Sequence, residues 1–596
     1  MNSLDLSLIG NCQIAVLVDK LGRYVWGCFP RFDSDPVFCS LLEAGGDRGQ
    51  IGFFDVELKN VARAEQSYVA NTAILNTQLT DETGGSVKII DYAPRYIQYG
   101  RSYHPIMVVR HIVPVSGAPA IRIRLRPAAD YGSRAPDLMH GSNHVRYING
   151  HSTLRLTTNA QLSAVLEERV FVLDRPITLI LGPDETIPEG PDKINREMYG
   201  ETRGYWEAWS RALSIPFEWQ SEVIRAAITL KLCTFEDTGA ALAALTTSIP
   251  EAPNSGRNWD YRFCWLRDSY YTVQALNRLG ATKTMEQYLG YIFNIIAAHG
   301  DDENLQPVYG ISGEAQLNER TVDSLSGFRG MGPVRVGNDA YSQVQNDSYG
   351  AAILAATQSF FDQRLADQRG LREFEWLESL GHRAVSLYDQ PDAGPWEYRG
   401  RSDVHTYSSA MCWAACDRLA RISSKLELTE RAGYWQKQAN EIRRVVLEKS
   451  WSEKRQSFVA SFGNDHLDAS LLTLADIGFV APDDPRFLGT IAAIEKELKR
   501  GSYLFRYLGE DDFGAPETAF NICTFWYINA LASVDRKAEA RELFENMLAR
   551  RTTSGLLSED LDPASGALWG NFPQTYSMVG IISAAMRLSK TWEEAL

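Results

Sequence analysis

Two glutamates are placed to do acid–base chemistry, because each sits in a loop crowded with aromatic side chains and glycine just ahead of an apolar run. Glu397 follows Trp396 in DAGPWEYRGRSDVHTYSSAM, and Glu559 lies in SGLLSEDLDPASGALWGNFPQTYSM beside Trp569 and Phe572. A carboxyl next to an indole loses water, which favours its protonated form. Cleaving a glycosidic bond with water calls for two such groups. One protonates the leaving oxygen, and the other activates the water or attacks carbon. A third loop, SGRNWDYRFCWLRDSYYT, carries Arg267 and Asp268 at a helix start, flanked by Trp259, Tyr261 and Trp265. A guanidinium beside a carboxylate can grip vicinal hydroxyls. Each residue also has an ordinary reading: Glu397 paired with Arg399 or Arg401, Glu559 as a turn or cap acid, Asp268 as a helix N-cap in a buried ion pair. Local chemistry leaves both readings open.

Other chemistries lack their residues. Counting a calcium loop from Asp560 puts Ser565 where glycine is needed and Asn571 where glutamate is needed. There is no phosphate-binding loop or HExxH pair, and the glycines at 327, 330 and 332 do not form a dinucleotide motif. The nine histidines show no metal spacing, and His405 reads as a capping residue at a helix start. Neither metal nor cofactor is expected. The eight cysteines are scattered in apolar surroundings and read as buried free thiols. Cys412 and Cys416 lack the second pair that zinc would need. With no secretory signal at the N-terminus, a cytoplasmic protein is expected. The net charge of -15 argues against nucleic acid and an anionic membrane surface. No stretch approaches the roughly 18 apolar residues of a span.

The elements that must position these loops change character along the chain. Residues 1–185 alternate with period two: in AIRIRLRP, Ile121, Ile123 and Leu125 point one way and Arg122, Arg124 and Arg126 the other. HPIMVVRHIVPVSG, STLRLTT and RVFVLDRPITLILGP continue the pattern, the last broken by an Asp-Arg-Pro turn. Strands without intervening helices predict an antiparallel β-sandwich. Residues 186–215 read as a linker with a helix. From 216 to 596 the period becomes 3.6, and about twelve helical segments follow, which fits an (α/α)6 barrel of six inner and six outer helices. A solenoid fits less well, because no fixed repeat is visible. Long loops gathered at one end of a barrel form its pocket.

The loops taken together resemble the glucoamylase family of glycoside hydrolases (family 15), which also holds glucodextranases and bacterial trehalases. LIGNCQIAVLVDKLGRYVWGCFPRFDSDPVFCSLL is similar to the N-terminal opening of the bacterial, trehalase-like branch. RNWDYRFCWLRDS, PVRVGNDAYSQVQNDSYG, GPWEYRG, ETAFNICTFWYINAL and SEDLDPASGALWGNFPQ resemble the barrel motifs in order. The resemblance implies a β-sandwich followed by an (α/α)6 barrel. It implies inverting, exo-acting removal of a terminal α-linked glucose as the β-anomer, with Glu397 as general acid and Glu559 as general base. Arg267 and Asp268 fall where the family holds the terminal sugar. Trp259, Trp265 and Trp396 fall on the pocket walls, and Arg506 and Glu517 in stretches that approach the pocket. The expected partner is a small oligosaccharide or disaccharide, and a homo-oligomer is compatible. Tyr398 stands where fungal members carry a second glutamate. Met578 stands where bacterial members often carry histidine, and Trp569 where an aliphatic residue is frequent, so an indole beside the base is expected to reshape the leaving-group site. An α-1,6-glucosidase, a disaccharide phosphorylase and a non-catalytic carbohydrate-binding protein are the rival readings.

Overall fold

A computed structural model of the chain describes residues 3–43, 51–150, 152–298, 304–366 and 368–595. The period-two half forms two antiparallel sheets, one of seven strands and one of eight. The strand Ala120–Arg126 shows why. Ile121, Ile123 and Leu125 are buried, while Arg122 and Arg124 lie opposite Glu57 and Asp55 of the neighbouring strand Phe53–Leu58 and form ion pairs with them. Cross-strand pairs of this kind fix the register that keeps the apolar face inward. Val16, Phe54, Ile89, Ile112, Ile123 and Leu179 belong to one apolar core built from both sheets. The turn at Asp174–Pro176 carries the chain from Phe171–Val172 in the first sheet to Ile177–Pro183 in the second.

Helix α1 (Pro191–Arg211) follows, with proline in its first turn, where a missing N–H costs nothing. It lies against the eight-stranded sheet, where the Tyr92 hydroxyl donates to Asn195 Oδ1 at 2.9 Å, and its Trp206 is fully buried.

The barrel helices are α2 (Gln220–Leu232), α3 (Leu266–Arg278), α4 (Thr282–Ala298), α5 (Asp347–Phe361), α6 (Leu371–Leu387), α7 (Thr406–Lys425), α8 (Thr429–Lys449), α9 (Pro485–Leu498), α10 (Asn521–Ser533), α11 (Lys537–Leu548) and α12 (Thr575–Leu588). A ring closes through α3, α5, α7, the short 3-10 helix Ala469–Thr473, α10 and α12, each packed on the next. Helices α2, α4, α6, α8, α9 and α11 pack outside that ring. Inner helices are buried on nearly every face, as in α10, where all residues from Asn521 to Ala532 are buried.

One expected helix differs. DHLDASLLTLADIGF forms only the 3-10 helix Ala469–Thr473 and turns after it. Asp468 accepts from Ser470 N at 2.9 Å through one oxygen and from Trp396 Nε1 at 3.0 Å through the other. Gly478, with φ +84°, ends the segment. The same short segment thus closes the ring and steadies the indole beside Glu397.

The sheets support the barrel at the pocket loops. Asp260 and Arg262 form a fully buried pair, and Arg262 Nη1 also donates to Ser34 O at 2.9 Å. Trp26 Nε1 donates to Leu245 O at 2.7 Å. The extended stretch 259–265 is therefore clamped from behind by the N-terminal region, and its alternate residues Trp259, Tyr261 and Trp265 face the other way, into a cavity. All eight cysteines are buried and free. Among the described residues, no helix is long and apolar enough to cross a membrane.

Candidate active site

One cavity, with ≈ 980 Å³ of empty space including its mouth, is lined by Glu397 and Glu559 together with Arg267, Asp268, Trp259, Trp265, Trp396 and Arg506. Residues 162 positions apart in sequence thus meet only because the ring of helices closes. Glu517 is the exception among the expected binders: it is exposed and does not line the cavity. It lies one residue before the buried Thr518–Ala519 stretch, where the chain is still outside the pocket wall.

Glu397 sits in a left-handed conformation, φ +60°, at the tip of a turn closed by its own N–H on Gly394 O at 3.2 Å. Such backbone strain persists only where surroundings hold it. Here Trp265 Nε1 donates to Glu397 Oε1 at 2.6 Å, the Arg267 guanidinium lies 3.5 Å away, and Gln343 Nε2 donates to Glu397 O at 3.2 Å. The ordinary partners fall away: Arg399 pairs with Glu319, and Arg401 stacks on Tyr398. His405 does not cap its helix with its side chain. Its ring packs against Gly394 and Tyr398 beneath the turn, where burial pushes its pKa down to about 4.

Glu559 is 1% exposed. Its backbone leads into a small three-stranded sheet formed by Ala519–Phe520, Asp560–Leu561 and Leu568–Trp569. The Tyr261 hydroxyl donates to Glu559 Oε1 at 2.7 Å, and the Asn571 N–H donates to Oε2 at 3.2 Å. Gly570, at φ +73°, presses on this side chain: a Cβ there would stand 2.6 Å from Glu559 Cβ and 2.7 Å from Oε2. Burial, and then the nearby charge of Glu251, raise the Glu559 pKa, and its bond from Tyr261 pulls the other way. Asp560 is raised by burial and by the same two acids. Arg506 Nη2 donates to Glu251 Oε2 at 2.6 Å, while Trp259 Nε1 donates to its Oε1 at 3.1 Å. Tyr261 and Trp265 are packed edge to face at 5.2 Å, so each glutamate is held by one ring of an aromatic pair.

Arg267 and Asp268 open α3. Arg267 reaches Asp347 Oδ2 at 2.9 Å and Gln345 Oε1, so its ion partner is Asp347 rather than its neighbour. No side chain caps this helix, and Asp268 has no hydrogen-bond partner among the described residues, which leaves its carboxylate open to the cavity. Burial, Glu397 and Asp347 raise its pKa to about 7.

A model of the glycosyl hydrolases family 15 matches residues 219–586, and a trehalase-like N-terminal model matches residues 4–167. The chain belongs to glycosyl hydrolase family 15. Relatives of this family 15 enzyme include a trehalase of Thermoplasma volcanium, 32% identical over 99% of this chain and 93% of the relative. A trehalase of Mycobacterium tuberculosis is 30% identical over 99% and 90%. A bacterial glucoamylase solved with acarbose has the same overall fold, with a TM-score of 0.70 over 98% of this chain and 94% of that one, at 12% identity. The protein is accordingly a glycoside hydrolase with an antiparallel N-terminal sheet region and an (α/α)6 barrel.

Two departures from the family pattern lie outside the cavity of this hydrolase. Met578 is buried in α12 and does not line the pocket. Trp569 packs edge-on to Phe328 at 6.1 Å, with Arg329 over its ring, and does not line the cavity. Sequence reasoning missed Glu251, Arg257 and the Asp511–Phe513 stretch, all of which line the cavity. Tyr261 was legible only as one more aromatic; the alternation of 259, 261 and 265 was the signal that it shares their face.

Proposed function

We propose that this hydrolase removes the terminal glucose of a small α-glucoside by inversion, releasing β-glucose, with trehalose as the first-ranked substrate. The observation that carries the reading is the presence of two separately held carboxyls in one cavity whose wall also carries the open Asp268 carboxylate beside Arg267. The non-reducing sugar occupies the buried end beside Arg267, Asp268 and Tyr576, and the leaving group points to the mouth.

Position supports these roles. Glu397 is 23% exposed and stands toward the mouth, so it protonates the bridging oxygen as general acid. Glu559, almost fully buried, takes a proton from water on the opposite side as general base. Its raised pKa makes it a stronger base once ionised, and Tyr261 and the Asn571 N–H favour that ionised form. The names of the trehalase relatives support trehalose over a maltooligosaccharide or an α-1,6-linked sugar.

One NMR time course on trehalose, maltose and isomaltose, with and without phosphate, tests the whole reading. Trehalose giving one β- and one α-glucose at early times, independently of phosphate, is expected. Only α-glucose at early times refutes inversion. Strict phosphate dependence with glucose 1-phosphate as product makes the enzyme a phosphorylase, and no release from any of the three sugars refutes the small α-glucoside reading.

A further inference from the structure

The mouth of the cavity is encircled by a closed chain of side-chain contacts drawn from four separate loops. Arg399, two residues beyond Glu397, pairs with Glu319 at 2.8 Å, and Glu319 also pairs with Arg335 at 3.2 Å. Arg335 and Arg399 both lie over the ring of Trp259, at 4.8 and 4.3 Å from its centre. Trp259 packs edge-on to Phe513 at 5.1 Å. Next to it, Arg257 holds Asp511 by two bonds of 2.6 Å and Gly514 O by a third at 2.6 Å. Asp512 closes the circuit by accepting from the backbone N–H groups of Arg399 and Gly400 at 2.8 and 3.0 Å.

We infer that this collar sets the substrate length: it admits one sugar beyond the scissile bond and excludes longer leaving groups. The inference rests on the exo-acting reading above, in which the leaving group faces the mouth. Three features carry it. The collar residues Arg257, Trp259, Arg399, Asp511, Asp512 and Phe513 line the same cavity as Glu397 and Glu559, so a leaving group must pass among them. Arg399 and Asp512 are themselves exposed, which puts them at the outer edge. The links are mostly bidentate or charge-assisted, and such bonds are the strong ones, so the ring does not widen for a chain at small cost. Within the collar, Asp511 and Arg399 are spent on Arg257 and Glu319, and Trp259 offers an apolar face to a single sugar. A leaving group of two or more sugars would have to displace the Asp512 tie that joins the acid loop to the 507–514 segment.

The test compares maltose, maltotetraose and trehalose with the wild type, Glu319→Gln, Asp512→Ala and the double variant. Glu319 lies outside the cavity lining and Asp512 on its rim, so the two changes loosen opposite sides of the collar. Expected is a wild-type kcat/KM for maltotetraose at least tenfold below that for maltose, and a gap at least tenfold narrower in the double variant. The recovery comes from maltotetraose rather than from loss on maltose. Melting curves identify a variant that fails to fold, and Phe513→Ala then replaces it. A wild type that cleaves maltotetraose as well as maltose, or a gap unchanged in every folded variant, overturns the collar. If maltose is cleaved and trehalose is not, the trehalose reading fails while the length ratio still decides the collar. If neither maltose nor maltotetraose is cleaved, their inhibition constants against trehalose hydrolysis supply the same ratio, with the same two outcomes.

Discussion

Replacing Tyr261 by phenylalanine removes one atom from the site, the hydroxyl that donates to Glu559 Oε1 at 2.7 Å. The ring and its edge-to-face packing on Trp265 stay. A hydrogen bond to a charged group is worth about 1.5–3 kcal/mol, and one pKa unit corresponds to about 1.36 kcal/mol. The bond favours the ionised carboxylate, so its loss raises the Glu559 pKa further, by roughly one to two units. A general base must be ionised to work. The acid limb of the kcat/KM profile therefore moves to higher pH by the same interval, and below both limbs the variant is slower by about 10- to 100-fold. Above the new limb the two enzymes converge. The assay is initial glucose release from trehalose at subsaturating substrate across the pH range, alongside thermal melts. In the wild type the limb itself lies above the usual carboxylate range, because burial and Glu251 raise Glu559. Glu251→Gln removes that neighbouring charge and moves the limb the opposite way. A Tyr261→Phe loss equal at every pH, with no displaced limb, refutes the assignment of Glu559 as the base that Tyr261 tunes.

Other changes act through different physics. Glu397→Gln and Glu559→Gln each remove a proton-transfer group and lower kcat by about 10²- to 10⁴-fold, read by single-substrate kinetics, with little change in melting temperature for Glu397→Gln. Gly570→Ala places a methyl against Glu559 at a positive φ, which costs about 1–3 kcal/mol and lowers both the melting temperature and kcat, though kcat less than Glu559→Gln does. Arg262→Ala leaves the Asp260 carboxylate buried without its partner. That costs about 3–5 kcal/mol, seen as a lower unfolding midpoint, and it loosens the loop bearing Trp259 and Tyr261 enough to raise KM.

Periodicity alone separated a sheet half from a helical half, because burial on one face imposes period two on a strand and 3.6 on a helix. It gave the inward Ile121, Ile123 and Leu125 and the outward arginines correctly. It overread the segment around Ala469, where an aspartate cap and a glycine stop limit the helix to 3-10 turns that composition does not reveal. Glu397, Glu559 and the Arg267–Asp268 pair were legible only as candidates from their loops, and the ordered family-like motifs singled them out. Glu517 was misread because neighbouring residues in a chain can face opposite sides of a wall.

The sequence by itself determined which residue types could perform acid–base chemistry and which segments would form strands or helices, since both follow from side-chain chemistry and local pattern. It could not determine which charged residues share a wall. Glu251 beside Glu559, Asp347 rather than Asp268 as the partner of Arg267, and the ring from Glu319 through Asp512 join loops up to 308 residues apart. Those pairings exist only once six inner helices close on themselves and the N-terminal sheets brace the 259–265 stretch. Tertiary closure removes water from the acids, shifts their proton affinities and sets the width of the mouth, and none of these is a property of any segment alone.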